Sequence, residues 1–372
     1  MAYIISTICD YRPRVIVKLI VVLLIAGARS EWWELGSNKK SLNRAADESI
    51  PCSEMRSLSR SQRTLCERYR DHIEFVSEGA KEGIDECQWQ FRANRWNCTT
   101  AENKKRNVDL NTSTLFGKVI DIGSRETAFT YAISAAGVVH KIARACKEGK
   151  LEACGCSNQA RPKGLGAMWE WGGCGDNTDY AYGFAREFID ARERDVQSPR
   201  SPESRAKKAM NIHNNEVGRL AVVRAARPTC KCHGVSGSCS LNTCWLQVPG
   251  FREIGEKLEE KHNNAIEVKV TKRGELRKRK RSSPDVGMMD LVYLDSSPDY
   301  CSPNPRTGVL GTKGRECNKD SFGKDGCGFL CCGRGYDSFT VEIVERCNCK
   351  FQWCCVVKCQ KCKKRVLKHI CR

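Results

Sequence analysis

Twenty-five cysteines in 372 residues constrain this chain more than any other feature, and their distribution says how. Twelve lie between Cys52 and Cys244 and twelve between Cys301 and Cys371, with none from 245 to 300 and one outlier, Cys9. Two even clusters predict two separately crosslinked units in an oxidising compartment. The length agrees, since roughly 340 residues after a leader suit two units of ~100–200 residues each. The second cluster has few long apolar periodic runs, so disulfides must replace much of the missing core there.

A leader is expected because Arg12, Arg14 and Lys18 precede the apolar run Leu19 to Ala26, and small residues follow at Ala26, Ala28 and Ser30. That is the pattern of a secretory signal over residues 1–30. A signal anchor is the alternative, but the run is shorter than the ~18 apolar residues of a membrane span. Net charge is +19, and cleavage after Ser30 leaves +16. An exported chain this basic should meet acidic glycans or anionic cell surfaces rather than nucleic acid.

Apolar residues recur at helical intervals from Thr114 to Lys147, as one long helix or two, with Gly123 and Gly137 as candidate bends. Two more helices are expected over Asp179–Arg194 and Ser204–Arg227, parted by prolines at 199 and 202. A short helix at Glu253–Asn263 and a strand at Ala265–Thr271 follow. Asn97 and Asn111 head glycosylation sequons. The division expected is a helical N-terminal domain over 31–270, a basic linker over 271–290 and a cystine-rich domain over 291–372. The linker run Arg277-Lys278-Arg279-Lys280-Arg281 is a solvated loop, a sulfated-glycan site or a dibasic cleavage site.

Nested cysteines predict two hairpins. Pairing Cys230 with Cys244 and Cys232 with Cys239 centres both links near 235–237, which puts Ser236 at a pinned tip among glycines. Pairing Cys347 with Cys362 and Cys349 with Cys359 centres near 354, with an alternating strand over Ser338–Arg346 leading in. That second tip is Phe351-Gln352-Trp353-Cys354-Cys355-Val356-Val357. Large apolar groups on a stapled prong either fold back on their own domain or bind a partner.

Three chemistries compete for Ser236. Gly234-Val235-Ser236-Gly237-Ser238 nearly matches a nucleophile elbow, yet the fifth residue is serine and the elbow needs a strand-to-helix turn in an α/β sheet. This is the secreted-esterase alternative, with His233 nearby. Zinc on Cys230, Cys232 and His233 is disfavoured because such thiols oxidise during export. Covalent modification is the third.

Here a resemblance enters. Cys230-Lys231-Cys232-His233-Gly234-Val235-Ser236-Gly237-Ser238-Cys239 resembles the acylated hairpin of Wnt signalling proteins, as do Phe91-Arg92 with Arg95-Trp96-Asn97-Cys98, Trp169-Glu170-Trp171-Gly172-Gly173-Cys174, His213-Asn214-Asn215-Glu216 and Cys331-Cys332-Gly333-Arg334-Gly335. The resemblance covers nearly the whole mature chain. It implies a mainly α N-terminal domain with disulfide-pinned β-hairpins plus a small cystine-rich β domain, a thumb-and-finger architecture with no catalysis of its own.

The resemblance further implies an O-palmitoleoyl group on Ser236, added by a Porcupine-type acyltransferase, export on a Wntless-type carrier, and N-linked glycans at Asn97 and Asn111. Receptor contact to Frizzled proteins falls to Lys231, Val235 and Ser236 on the thumb, and to Phe351, Trp353, Cys354, Cys355 and Val357 on the finger. LRP-type or Ror/Ryk-type co-receptors and heparan sulfate are further implied partners. So are the bonds Cys87–Cys98, Cys301–Cys332 and Cys354–Cys355, and the remaining pairs Cys52–Cys66, Cys146–Cys154, Cys156–Cys174, Cys317–Cys327 and Cys331–Cys371.

Overall fold

A computed structural model describes residues 31–37, 51–98, 116–166, 169–195, 201–233, 242–271, 273–353 and 356–372. Six helices build the first half: α1 (Arg60–Arg68), α2 (His72–Gln90), α3 (Arg125–Lys147), α4 (Thr178–Asp195), α5 (Pro202–Ala225) and α6 (Phe251–Asn263). The axis is α3, whose residues from Glu126 through His140 are all buried. Ser124 starts it by accepting a hydrogen bond from the Thr127 amide, and Arg144 and Lys147 in its last turn oppose the helix dipole. A helix buried on every side needs neighbours on every side, and α2, α4, α5 and α6 all pack on it.

Those neighbours come close because side chains are missing where they cross. A Cβ on Gly79 of α2 would stand 2.6 Å from the Gly137 carbonyl oxygen, one on Gly83 would stand 3.0 Å from that of Ile133, and one on Gly218 of α5 would collide with the Ala132 backbone. Gly137 is therefore a crossing point and not a bend, since α3 runs through it unbroken. The interruption falls at Gly123, between a 3-10 turn at Gly117–Asp121 and α3.

The His213-Asn214-Asn215-Glu216 stretch ties α5 to its surroundings. His213 Nε2 donates to the Asp290 carbonyl at 2.8 Å, and Asn214 exchanges two bonds with the Val292 backbone at 3.0 Å each. Asn215 and the buried Arg219 both donate to Asp190 of α4, and Glu216 bridges Arg219 and the Tyr182 hydroxyl. A segment the sequence reading did not single out completes the core: Trp32 and Trp33, both fully buried, meet Phe188, Phe116 and Tyr131 edge-on.

Strands form three small sheets. β1 (Glu170–Trp171), β2 (Arg227–Cys232) and β3 (Asn242–Gln247) are ordered β1-β3-β2. β4 (Ile266–Val270), β5 (Leu276–Lys278) and β6 (Val292–Tyr293) are ordered β5-β4-β6, so part of the expected 271–290 linker is a strand paired to β4. The chain stays on the helical half beyond it, with Leu291 in the main core and Ser297 donating to Glu126 of α3. Last come β7 (Glu316–Cys317), β8 (Tyr336–Gln352) and β9 (Val356–Cys371), ordered β7-β9-β8, beside a helical turn, α7, at Cys327–Leu330.

Disulfides join Cys52–Cys66, Cys87–Cys98, Cys146–Cys154, Cys156–Cys174 and Cys230–Cys244 in the first half. In the second half they join Cys301–Cys332, Cys317–Cys327, Cys331–Cys371, Cys347–Cys362 and Cys349–Cys359. None among the described residues crosses between halves. Instead Arg315, whose pKa is lowered by burial, donates to the carbonyls of Arg92, Asn94 and Arg95, and Arg95 stacks on Phe329 at 4.1 Å.

The crossings predict opposite outcomes for two helical glycines. Gly218→Ala should destabilise the protein by about 1–3 kcal/mol through overpacking against α3, whereas Gly183→Ala in α4, which has open space around it, should stabilise it by up to ~1 kcal/mol. Denaturant unfolding of both variants checks this, and a harmless Gly218→Ala would remove the close crossing as a determinant.

Candidate functional site

The two stapled hairpins are the candidate site. In the first, β2 and β3 pair antiparallel with Cys230 opposite Cys244 and Cys232 opposite Asn242. The Cys230–Cys244 bond spans directly facing residues, with a Cα–Cα distance of 4.0 Å. β3 alternates Asn242, Cys244 and Leu246 inward, and this buried edge seats the hairpin. Trp171 of β1 lies beside Cys244, and the amides of Gly172 and Gly173 both donate to the Cys244 carbonyl. A Cβ on Gly173 would meet the Trp245 ring at 2.8 Å, so that glycine lets the Trp-Glu-Trp-Gly-Gly-Cys segment lie flat against the base. Asp176 adds a lock, accepting from the Val248 amide at 2.7 Å and lying 3.8 Å from Lys147.

Lys231 is exposed on β2, and His233 is exposed just beyond it. Val235, Ser236 and Cys239 lie outside the described residues, as does the pairing of Cys239. What flanks them is two antiparallel strands, symmetric about residue 237. The strand-to-helix context that a nucleophile elbow requires is therefore not what β2 and β3 supply.

The second hairpin pairs β8 with β9 over nearly their whole length, from Tyr336 opposite Cys371 to Gln352 opposite Val356. The strand is longer than the sequence pattern suggested, because the alternation at Ser338–Arg346 gives way to cysteines and lysines that pair equally well. Cys347 faces Gln360 in the register that runs from Tyr336 and yet bonds to Cys362, and a bulge between Cys347 and Lys350, with Asn348 at φ 47°, shifts the register from Lys350 to the tip. Cys349–Cys359 closes the ribbon nearer its end at a Cα–Cα distance of 4.0 Å. Beyond it stand Trp353, 89% exposed, Phe351, 69%, and Val357, 59%. The apolar tip therefore does not fold back on its own domain. Cys354 and Cys355 lie outside the described residues.

Of the sequons, Asn97 is half-buried between Trp96 and Cys98, and Asn111 is outside the described residues. The sulfurs of Cys317, Cys327 and Cys331 lie within 4.8 Å of one another, but all three are in disulfides, to each other or to Cys371. They offer no thiolate to a metal. No helix among the described residues is long and apolar enough to cross a membrane.

A family model described as the wnt family matches residues 54–372. The chain belongs to the Wnt family. It is 57% identical over 343 residues to Protein Wnt-5 of Halocynthia roretzi, covering 92% of each chain, and 51% identical over 346 residues to Protein Wnt-5a of Homo sapiens, covering 92% of this chain and 89% of that one. Among solved structures, a chain of human WLS in complex with WNT8A matches with a TM-score of 0.57 and 38% identity, covering 81% of this chain and 94% of that one. This Wnt is thus a signalling ligand by family, with the two-part fold expected of it.

The finger's staples generate a prediction. Replacing Cys349 and Cys359 together with serine should speed tryptic cleavage at Lys350 and Lys358 by tenfold or more, since a disulfide typically contributes ~2–4 kcal/mol. Cleavage within α3 should be unaffected. Unchanged cleavage at the tip would mean that strand pairing alone holds the finger.

Proposed function

We propose that this Wnt is exported after removal of residues 1–30 and acts extracellularly through a lipid on Ser236 and an apolar finger tip, which together engage a Frizzled-type receptor. The observation that carries the reading is the exposure of Phe351, Trp353 and Val357 on a disulfide-held ribbon. Such a tip is unfavourable in water and already ordered for binding, so little conformational entropy is lost when it docks.

The lipid fits the same logic. A hydroxyl on the segment joining two strands held by a disulfide suits an acyltransferase of the Porcupine type, and an O-palmitoleoyl chain gains up to ~0.8 kcal/mol per buried methylene. A chain that apolar calls for a membrane carrier during export. The likeness to a Wnt solved with WLS supports a Wntless-type carrier here. N-linked glycans at Asn97 and Asn111 would form in the same compartment.

Further partners follow from charge. Exposed Arg273, Arg277 and Arg279 around the β4–β5 hairpin suit heparan sulfate, and an LRP-type or Ror/Ryk-type co-receptor completes the complex. No hydrolytic role is assigned to Ser236, because acylation consumes the hydroxyl that an esterase would need.

Mass spectrometry of the secreted protein should find the acyl ester on Ser236, and Ser236→Ala should abolish receptor activation. Unmodified Ser236 in fully active ligand would refute acylation. Trp353→Ala should weaken receptor binding by about 2 kcal/mol or more while leaving secretion intact. Unchanged affinity would remove Trp353 from the contact.

A further inference from the structure

The stem of the finger, between its base and its stapled tip, carries cations that are only partly balanced among the described residues. Strand alternation puts Val344, Arg346, Lys361, Lys363, Arg365 and Leu367 on one face of the β8–β9 ribbon. Arg346 lies directly opposite Lys361, and like charges across a strand pair are destabilising. One acid shares this face, Glu342, which lies opposite Arg365 and pairs with Lys363 at 2.7 Å. Arg346, Lys361 and Arg365 have no ion pair or side-chain hydrogen bond among the described residues.

On the same face, Val344 is 55% and Leu367 57% exposed. Lys363 lies directly opposite Val344, and Leu367 is two residues along from Arg365. Cations mixed with bare aliphatic groups on one rigid surface are what a lipid–water interface accommodates. The chains take the aliphatic groups, the acidic headgroups neutralise the cations, and long Lys and Arg stems reach between the two. A sulfated glycan would satisfy the cations but give Val344 and Leu367 nothing to bury against.

We propose that this face of the finger stem docks on membranes containing acidic lipids. The geometry leaves the Phe351 and Trp353 tip free, because the tip lies beyond the staples. A single acyl chain gives only marginal, reversible membrane binding, and a basic patch supplies the second attachment that makes it persist. The stem would thus hold the ligand on a membrane that presents acidic headgroups to it while its tip engages a receptor.

The test is flotation of the full secreted chain with vesicles of phosphatidylcholine alone and of phosphatidylcholine with 30% phosphatidylserine, compared with Arg346→Glu/Lys361→Glu. Any acyl contribution is common to both vesicle types, so the ratio of the two partition coefficients isolates the charge-dependent part whether or not Ser236 is acylated, and the loss in the double variant assigns that part to this face. The unsubstituted chain should prefer the acidic vesicles at least about tenfold, at about fivefold per cation, and the double variant should lose most of that preference. Equal partition into both vesicles, or a preference untouched by the double variant, would overturn the proposal. Charge-dependent binding of the same face to heparin oligosaccharides with no acidic-vesicle preference would overturn it in favour of a glycan site.

Discussion

A two-stranded ribbon with nothing packed beneath it cannot be held by burial, and the rest of this molecule follows from that constraint. Most of β8 and β9 is exposed on both faces, so the hydrophobic effect that orders α3 is absent there. Cross-strand hydrogen bonds and two disulfides take its place. Strand pairing and a disulfide likewise hold β2 to β3, except that β3 still buries alternate residues. Everything else in the fold gives these two hairpins fixed origins.

Most of the motifs that mark the chain as a Wnt serve that supporting role. The Phe91 to Cys98 segment supplies the carbonyls that grip Arg315 and so fastens the cystine-rich half to the helical half. The Trp169 to Cys174 segment braces the base of the first hairpin, and the His213 to Glu216 stretch binds α5 to α4 and to the strand at Val292. In the cystine-rich half, Gly333 and Gly335 both adopt positive φ, which suits residues without a Cβ. The residues that face outward for a partner are few by comparison.

Parts of this were legible in the sequence for a geometric reason. In an antiparallel pair the residue numbers of partners have a constant sum, so nested cysteines locate a tip before any strand is seen. The finger tip between Gln352 and Val356 lies where that arithmetic put it. Helical periodicity likewise located α4 to α6 to within a few residues, and the end of α3, although α3 begins only at Arg125, well after the Thr114 where the pattern starts. Other parts were not legible. Gly137 read as a bend because a sequence does not show that Gly79 approaches it from another helix. The run from 271 to 290 read as linker because of its basic stretch from Lys272 to Arg281 and the Ser282-Ser283-Pro284 that follows, whereas Leu276–Lys278 within it form β5 and pair with β4. Trp32 and Trp33 went unremarked because a sequence does not show that Phe116, Tyr131 and Phe188, all distant along the chain, close over them.

The function proposed for this Wnt requires that the two tips engage one receptor domain together. Hydrogen-exchange mass spectrometry of the secreted chain, alone and bound to an isolated Frizzled cysteine-rich domain, tests it most directly. Protection should appear both in the segment from Lys231 to Asn242 and in that from Phe351 to Val357, with α3 unchanged. Protection confined to one tip, or lying on the helical half instead, would contradict it.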